Sequence, residues 1–307
     1  MKTALLVLLA VFVTAAGAPS AQAPDRAARE RLVVSAAWLT QHANDPDVVL
    51  LHVGRRETYD AGHIANARFV DYAATLATSG GDSGLTLEML PAETLRERLA
   101  ALGISDNSRV VVYNSDNSWT QSTRVMLTLD YAGLANVSWL DGGQAAWTAA
   151  GGKLSTDVPA PKPGTLSTLK LRPVVADAEF VKAHLNIPSY TIVDSRAAAF
   201  YDGTRTGGRP GAEHKTGHIV GAVNVPFDSF TSTDGQLKPA AEIAAAFTSA
   251  GVKPGDTVIT YCHIGQQATA TLFAARSLGY KVMLYDGSFE DWSKRNLPVE
   301  TGPSKKK

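Results

Sequence analysis

One cysteine, Cys262, stands alone in a chain of 307 residues. A lone thiol excludes an intramolecular disulfide and a Cys-x-x-Cys exchange pair. Net charge is missing too: 29 Lys and Arg balance 29 Asp and Glu, which argues against nucleic acid as a partner. Beyond the first residues no apolar run approaches the roughly 20 residues of a membrane span. Metal-ligand spacing is equally scarce. His214 and His218 lie four apart, but Gly217 and the loop-like composition around it oppose the helix that would put both imidazoles on one face. No metal and no cofactor are expected.

What is present begins with a short basic head at Lys2, an apolar run from Ala4 to Val13, and then small residues. Gly17, Pro19 and Gln22 interrupt the run too early for an anchor, so residues 1–23 read as a secretory signal peptide. Pro24 follows the small pair Ala21 and Ala23, and the mature chain is expected to start between Ala18 and Arg29. A periplasmic or secreted location follows, without a membrane partner after removal of the signal. In that oxidising compartment Cys262 is either an inert buried hydrophobe or a group kept for its chemistry. The last three lysines read as a solvated tail.

The chain also repeats itself. GHIANARFVDY from Gly62 parallels GHIVGAVNVPF from Gly217, and LDGGQAAW from Leu140 parallels YDGSFEDW from Tyr285. Between them, RVVVYNSD from Arg109 and DTVITYCH from Asp256 are both β-branched runs that reach a tyrosine. Two copies of one domain follow, over 30–150 and 173–303, joined by a Pro-, Gly-, Ser- and Thr-rich linker over 151–172. In the second copy YTIVD, AVNVP, DTVITY and VMLYDG read as strands, and AEIAAAFTSAG and ATATLFAARSLGY as helices. The alternation predicts an α/β fold, each copy an open, mostly parallel sheet with helices on both faces.

In such sheets the reactive crevice lies beyond the carboxyl ends of the strands, and Cys262 follows Tyr261 at such an end. The loop CHIGQQ leads into a helix predicted to begin near Ala268. Its amides and the positive helix end form an anion cradle that favours thiolate over thiol, with Gly265 supplying the backbone freedom a tight ring requires. A cysteine phosphatase would carry Cys-x5-Arg to grip phosphate oxygens, but that arginine position is Ala268.

With GHIVGAVNVPF, YCHIGQQA and YDGSFEDW in place, nearly the whole mature chain resembles the tandem-domain rhodanese family, sulfurtransferases of the thiosulfate or 3-mercaptopyruvate type. The resemblance implies a double displacement: Cys262 takes a sulfane sulfur from a small anionic donor, becomes a persulfide, and passes the sulfur to a thiophilic acceptor such as cyanide, a small thiol or a thiol protein. It also implies an inactive first domain, in which Asn114 or Asp116 takes the nucleophile's place. Trp119 in that loop reads as a packing residue of its own domain, with a contact at the domain interface as the alternative. Asp194 with Arg196 reads as a structural ion pair, and Asp286 and Trp292 as turn and core anchors.

The chain departs from the family near the site. Phe200 stands where an arginine falls in family members, and His263 and Ile264 replace the basic residues that follow the cysteine in thiosulfate-type loops. Donor binding is therefore expected from the loop His263, Ile264, Gly265, Gln266 and Gln267, with His263 acting as a cation if protonated, and from Arg205 and Arg209. Both arginines lie in DGTRTGGRPGAEHKTGH, which reads either as an anion-binding lid or as a solvated surface loop. The missing cations also motivate an alternative function, a persulfide carrier or partner-binding module with little turnover on small donors.

Overall fold

The computed structural model describes residues 25–78, 80, 84–116, 119–160 and 162–303. The expected signal peptide and the lysine tail lie outside these residues. Among the described residues no helix is long and apolar enough to cross a membrane.

Two five-stranded sheets carry the fold. The first is built, in spatial order, from Val33–Val34, Val137–Leu140, Arg109–Asn114, Val48–Val53 and Arg68–Val70, all parallel. The second repeats that order with Val175–Ala176, Lys281–Tyr285, Thr257–Tyr261, Tyr190–Asp194 and Val223–Asn224, again all parallel. Parallel strands need crossovers, and the helices between them cover both sheet faces, so the central strands are largely apolar on both faces and polar residues within them, such as His52, Asp194 and Thr260, are buried as well.

The period-two geometry of a strand sends neighbouring residues to opposite faces. In the first domain Val49, Leu51, Val110 and Val112 join one core cluster, whereas Leu50, Val111 and Tyr113 join another that contains Leu39 and Trp147. The second domain repeats the division. Val193 and Val258 face the first cluster, and Ile192, Ile259 and Tyr261 pack with Val181, Phe289 and Trp292. The first cluster contains buried side chains of both domains, so one continuous apolar core joins them.

At the centre of that junction the helix Thr120–Tyr131 packs on the helix Ala268–Ser277. Each follows the equivalent strand of its own copy. Thr123 and Thr269 share a hydrogen bond between their hydroxyls at 2.8 Å. Trp119 packs against Trp139 of its own domain and edge-on to Phe273 across the junction. It therefore fills both roles weighed for it, because a strand-to-helix loop in either copy faces the other copy's helix.

Residues 151–172 do not hang free. Leu154–Ser155 pairs antiparallel with His63–Ile64, and Asp106 accepts hydrogen bonds from both Ser167 N at 2.9 Å and Ser167 Oγ at 2.6 Å. The segment is thus strapped along the first domain before it enters the second.

Candidate active site

The chain leaves Tyr190–Asp194 toward Val223–Asn224 on one side and leaves Thr257–Tyr261 toward Lys281–Tyr285 on the other. That divergence opens a crevice beyond the carboxyl ends of the two central strands. Cys262, Asp194 and Ser195 meet there. All three are fully buried, and Cys262 packs in a small apolar cluster with Leu127, Ala268, Leu272 and Leu284.

The loop after Cys262 is pinned by its carbonyls. Phe289 N–H donates to Cys262 O at 3.0 Å and Glu290 N–H donates to His263 O at 2.9 Å. In a trans peptide the following N–H points opposite to the carbonyl, so the amides of His263 and Ile264 are turned away from those partners. Among the described residues the backbone N–H groups of His263, Ile264, Gly265, Gln266 and Gln267 have no acceptor. Five open donors at the start of the Ala268–Ser277 helix are what an anion at this end would satisfy. Gly265 has φ +79°, which only a residue without Cβ adopts freely.

The amide of Cys262 itself is occupied, donating to Ser288 Oγ at 3.2 Å, while Ser288 Oγ donates to Tyr285 O at 2.9 Å. Ser288 has φ +52°, and Gly143 holds its place in the first copy with φ +56°. A serine in this left-handed region is strained, and its hydroxyl is what links the YDGS turn to the cysteine.

Beneath the loop, Arg196 is buried and holds Asp194 through Nη2 to Oδ2 at 2.5 Å, and Tyr261 Oη donates to the same carboxylate oxygen at 2.7 Å. Burial opposes the Arg196 charge, but Asp194 outweighs it, with smaller help from Tyr261 and Cys262, so the guanidinium sits above its ordinary range.

Above the loop lies a cavity of about 440 Å³ lined in part by Phe200, Arg205, Arg209, His214, His263 and Ile264. Gly208–Arg209 and Ala212–Glu213 form a short exposed hairpin along it. The segment DGTRTGGRPGAEHKTGH therefore borders the site. Arg205 stacks its guanidinium over Phe200 at 4.7 Å from the ring centroid. Cys262 does not line the cavity, and neither do Gly265, Gln266 or Gln267. Gln266 instead directs its amide to Thr120 Oγ1 of the first domain at 3.3 Å.

His263 and His214 face each other with Nδ1 atoms 3.5 Å apart. Burial, followed by Arg196 and His214, pushes His263 down to about 3, and burial also lowers His214. His263 is therefore neutral near pH 7 and cannot serve as the cation it would be if protonated. His218, four residues from His214, is elsewhere: it stacks on Tyr201 at 3.6 Å and its Nδ1 meets Tyr201 O at 2.7 Å.

In the first copy Asn114 follows Tyr113 as Cys262 follows Tyr261, since Tyr113 pairs with His52 and Tyr261 with Asp194 in the same register. Asn114, not Asp116, thus occupies the thiol's place, and its Oδ1 accepts from Trp139 Nε1 at 3.1 Å.

Two groups of the first domain that touch this site have no role in the reading of the sequence alone. Thr86 N–H donates to Glu290 Oε2 at 2.9 Å, and Arg124 is buried against the loop. The only signal for Arg124 was a charged residue in the otherwise uncharged helical stretch WTQSTRVMLTL.

A doubled parallel α/β domain with one thiol at the switch point of its second copy, before a turn of open amides, defines a tandem sulfur-transfer scaffold. Residues 35–150 and 177–295 each match the Rhodanese-like domain, and the chain belongs to that family and is a sulfurtransferase. It is similar to a putative thiosulfate sulfurtransferase of Synechococcus elongatus, 28% identical over 99% of this chain and 96% of that one. It is also similar to a thiosulfate sulfurtransferase of Pseudomonas aeruginosa, 30% identical over 88% of this chain and 97% of that one. A solved structure of EanB in complex with ergothioneine matches in fold, with a TM-score of 0.79 and 24% identity over 92% of this chain and 72% of that one.

Proposed function

We propose that the protein is an exported sulfurtransferase in which Cys262 is the nucleophile and carries the sulfur as a persulfide. The observation that carries this reading is the run of open amides immediately after Cys262, at a helix start and above a buried arginine. Such donors stabilise an anionic sulfur and the charge that develops during transfer.

Thiosulfate is the first donor to test, because two relatives carry its name; 3-mercaptopyruvate is the second. The Cys262 thiolate attacks the sulfane sulfur of thiosulfate, the donor's S–S bond breaks, and sulfite leaves with the electron pair. A thiophilic acceptor, such as cyanide, a small thiol or a protein thiol, then attacks the outer sulfur, and Cys262 departs as thiolate. Dividing the transfer this way replaces one difficult step by two easier ones. Arg205 and Arg209 supply the positive charge at the mouth that neutral His263 does not. Because the cavity ends at His263 and Ile264 and Cys262 has no exposed surface, loading requires the lid and the loop side chains to shift.

Export rests on the apolar N-terminal segment of the sequence, and N-terminal sequencing of the protein recovered outside the cytoplasm tests it. For the chemistry, steady-state turnover with each donor is compared with single-turnover loading. Turnover at the loading rate is expected; rapid loading with negligible turnover would move the function to a persulfide carrier.

A further inference from the structure

We infer that the catalytically silent first domain sets the shape of the sulfur-transfer loop through one positioning residue, Arg124. The inference rests on the reading of Cys262 as nucleophile.

Arg124 lies on the helix Thr120–Tyr131 and has no exposed surface. Its Nη1 donates to Gly265 O in the cysteine loop at 3.1 Å. Its Nη2 donates to Leu87 O at 2.6 Å and lies 2.7 Å from Asp286 Oδ1, and its Nε donates to the Tyr72 hydroxyl. Three of its neighbours thus fix the guanidinium so that the remaining nitrogen meets one carbonyl of the loop.

That carbonyl matters because of peptide geometry. Cys262 O and His263 O are held by Phe289 and Glu290 of the second domain, which turns the amides of His263 and Ile264 the other way. Gly265 O is held by Arg124 of the first domain, which in the same manner turns the N–H of Gln266 away from Arg124. The open donors are therefore aimed by three outward carbonyls, and one of the three anchors comes from the other domain. The junction leaves little slack at this point. A Cβ on Gly265 would lie 2.6 Å from Asp286 O and 3.1 Å from Arg124 Nη1.

Asp286 completes the latch. Its Oδ2 accepts from Met89 N of the first domain at 2.8 Å while Oδ1 meets Arg124. This carboxylate, which the sequence assigned to a turn, compensates a buried charge that would otherwise be strongly destabilising. The first domain thereby holds the YDGS turn and the cysteine loop together.

The test uses the full chain with Arg124→Lys and Arg124→Met, each compared with the parent for folding by circular dichroism, for the rate constant of persulfide formation per folded molecule, and for KM. The loading rate constant is expected to fall roughly 10- to 100-fold in Arg124→Met, less than the roughly 100- to 1000-fold cost of removing a transition-state donor outright, because the donor stays in place and is only misaimed. Arg124→Lys, which keeps the charge but not the fork, is expected between it and the parent, with KM changed far less than the rate. Should Arg124→Met not fold, Arg124→Lys alone decides. In the parent, the Gln266 amide proton is expected to move downfield when Cys262 is loaded. Folded variants that load at the parent rate, or a Gln266 resonance that ignores loading, would overturn the inference. A parent that forms no persulfide would instead overturn the reading of Cys262.

Discussion

His52 stands in the first domain where Asp194 stands in the second. Each lies in register with the tyrosine near the end of the neighbouring strand, Tyr113 or Tyr261. Each also meets that tyrosine's hydroxyl, at 3.2 Å for His52 Nδ1 and 2.7 Å for Asp194 Oδ2. The same hydroxyls accept from Ile64 N and Ile219 N at 3.0 and 3.1 Å. The scaffold is thus kept in both copies while its charge is kept in only one.

This substitution has a pH consequence. Burial, with His63 adding to it, pushes His52 from 6.5 down to about 4. The folded state then binds fewer protons than the unfolded state below 6.5, so the stability contribution is complete above that pH and is lost as pH falls toward 4. The loss attributable to this group is on the order of 3 kcal/mol. His263 and His214 titrate low as well, so the diagnostic quantity is the difference between the parent and His52→Gln. Urea unfolding from pH 7 to pH 4 is expected to give a shallower decline in the variant; parallel curves would refute the assignment.

Ser288 should separate stability from rate. Replacing it by Gly relieves a backbone at φ +52°, a gain of about 1 kcal/mol, and removes the hydroxyl that accepts from Cys262 N–H. Ser288→Gly is expected to melt at or above the parent temperature while loading sulfur about tenfold more slowly. A less stable protein that still loads at the parent rate would mean that the hydroxyl serves the fold alone.

Arg205 and Arg209 are exposed at the cavity mouth. Their joint replacement by Ala is expected to raise KM for thiosulfate several-fold at low salt, with thermal stability unchanged and the difference shrinking as salt screens the charges. A KM equal to the parent's at low salt would leave the hairpin as surface structure.

The repeat and the placement of Cys262 were legible because both depend on local order: a β-branched strand, a turn and a helix, met twice. Distance along the chain hid the rest. Arg124 and Gly265 are 141 positions apart, and only the packing of two helices at the domain junction brings them together. The pairing of His214 with His263 likewise depends on how the hairpin folds back, and burial rather than sequence decides that both imidazoles are neutral. Asn114 became the thiol's counterpart only through strand register.

The most direct test of the sulfur-transfer reading is the intact mass of the protein after thiosulfate treatment and desalting, followed by peptide mapping, for the parent and Cys262→Ser. The expected result is the gain of one sulfur atom at Cys262, its loss on adding cyanide with formation of thiocyanate, and no gain in Cys262→Ser. Unmodified Cys262 in a protein that still forms thiocyanate, or turnover by Cys262→Ser at the parent rate, would contradict it.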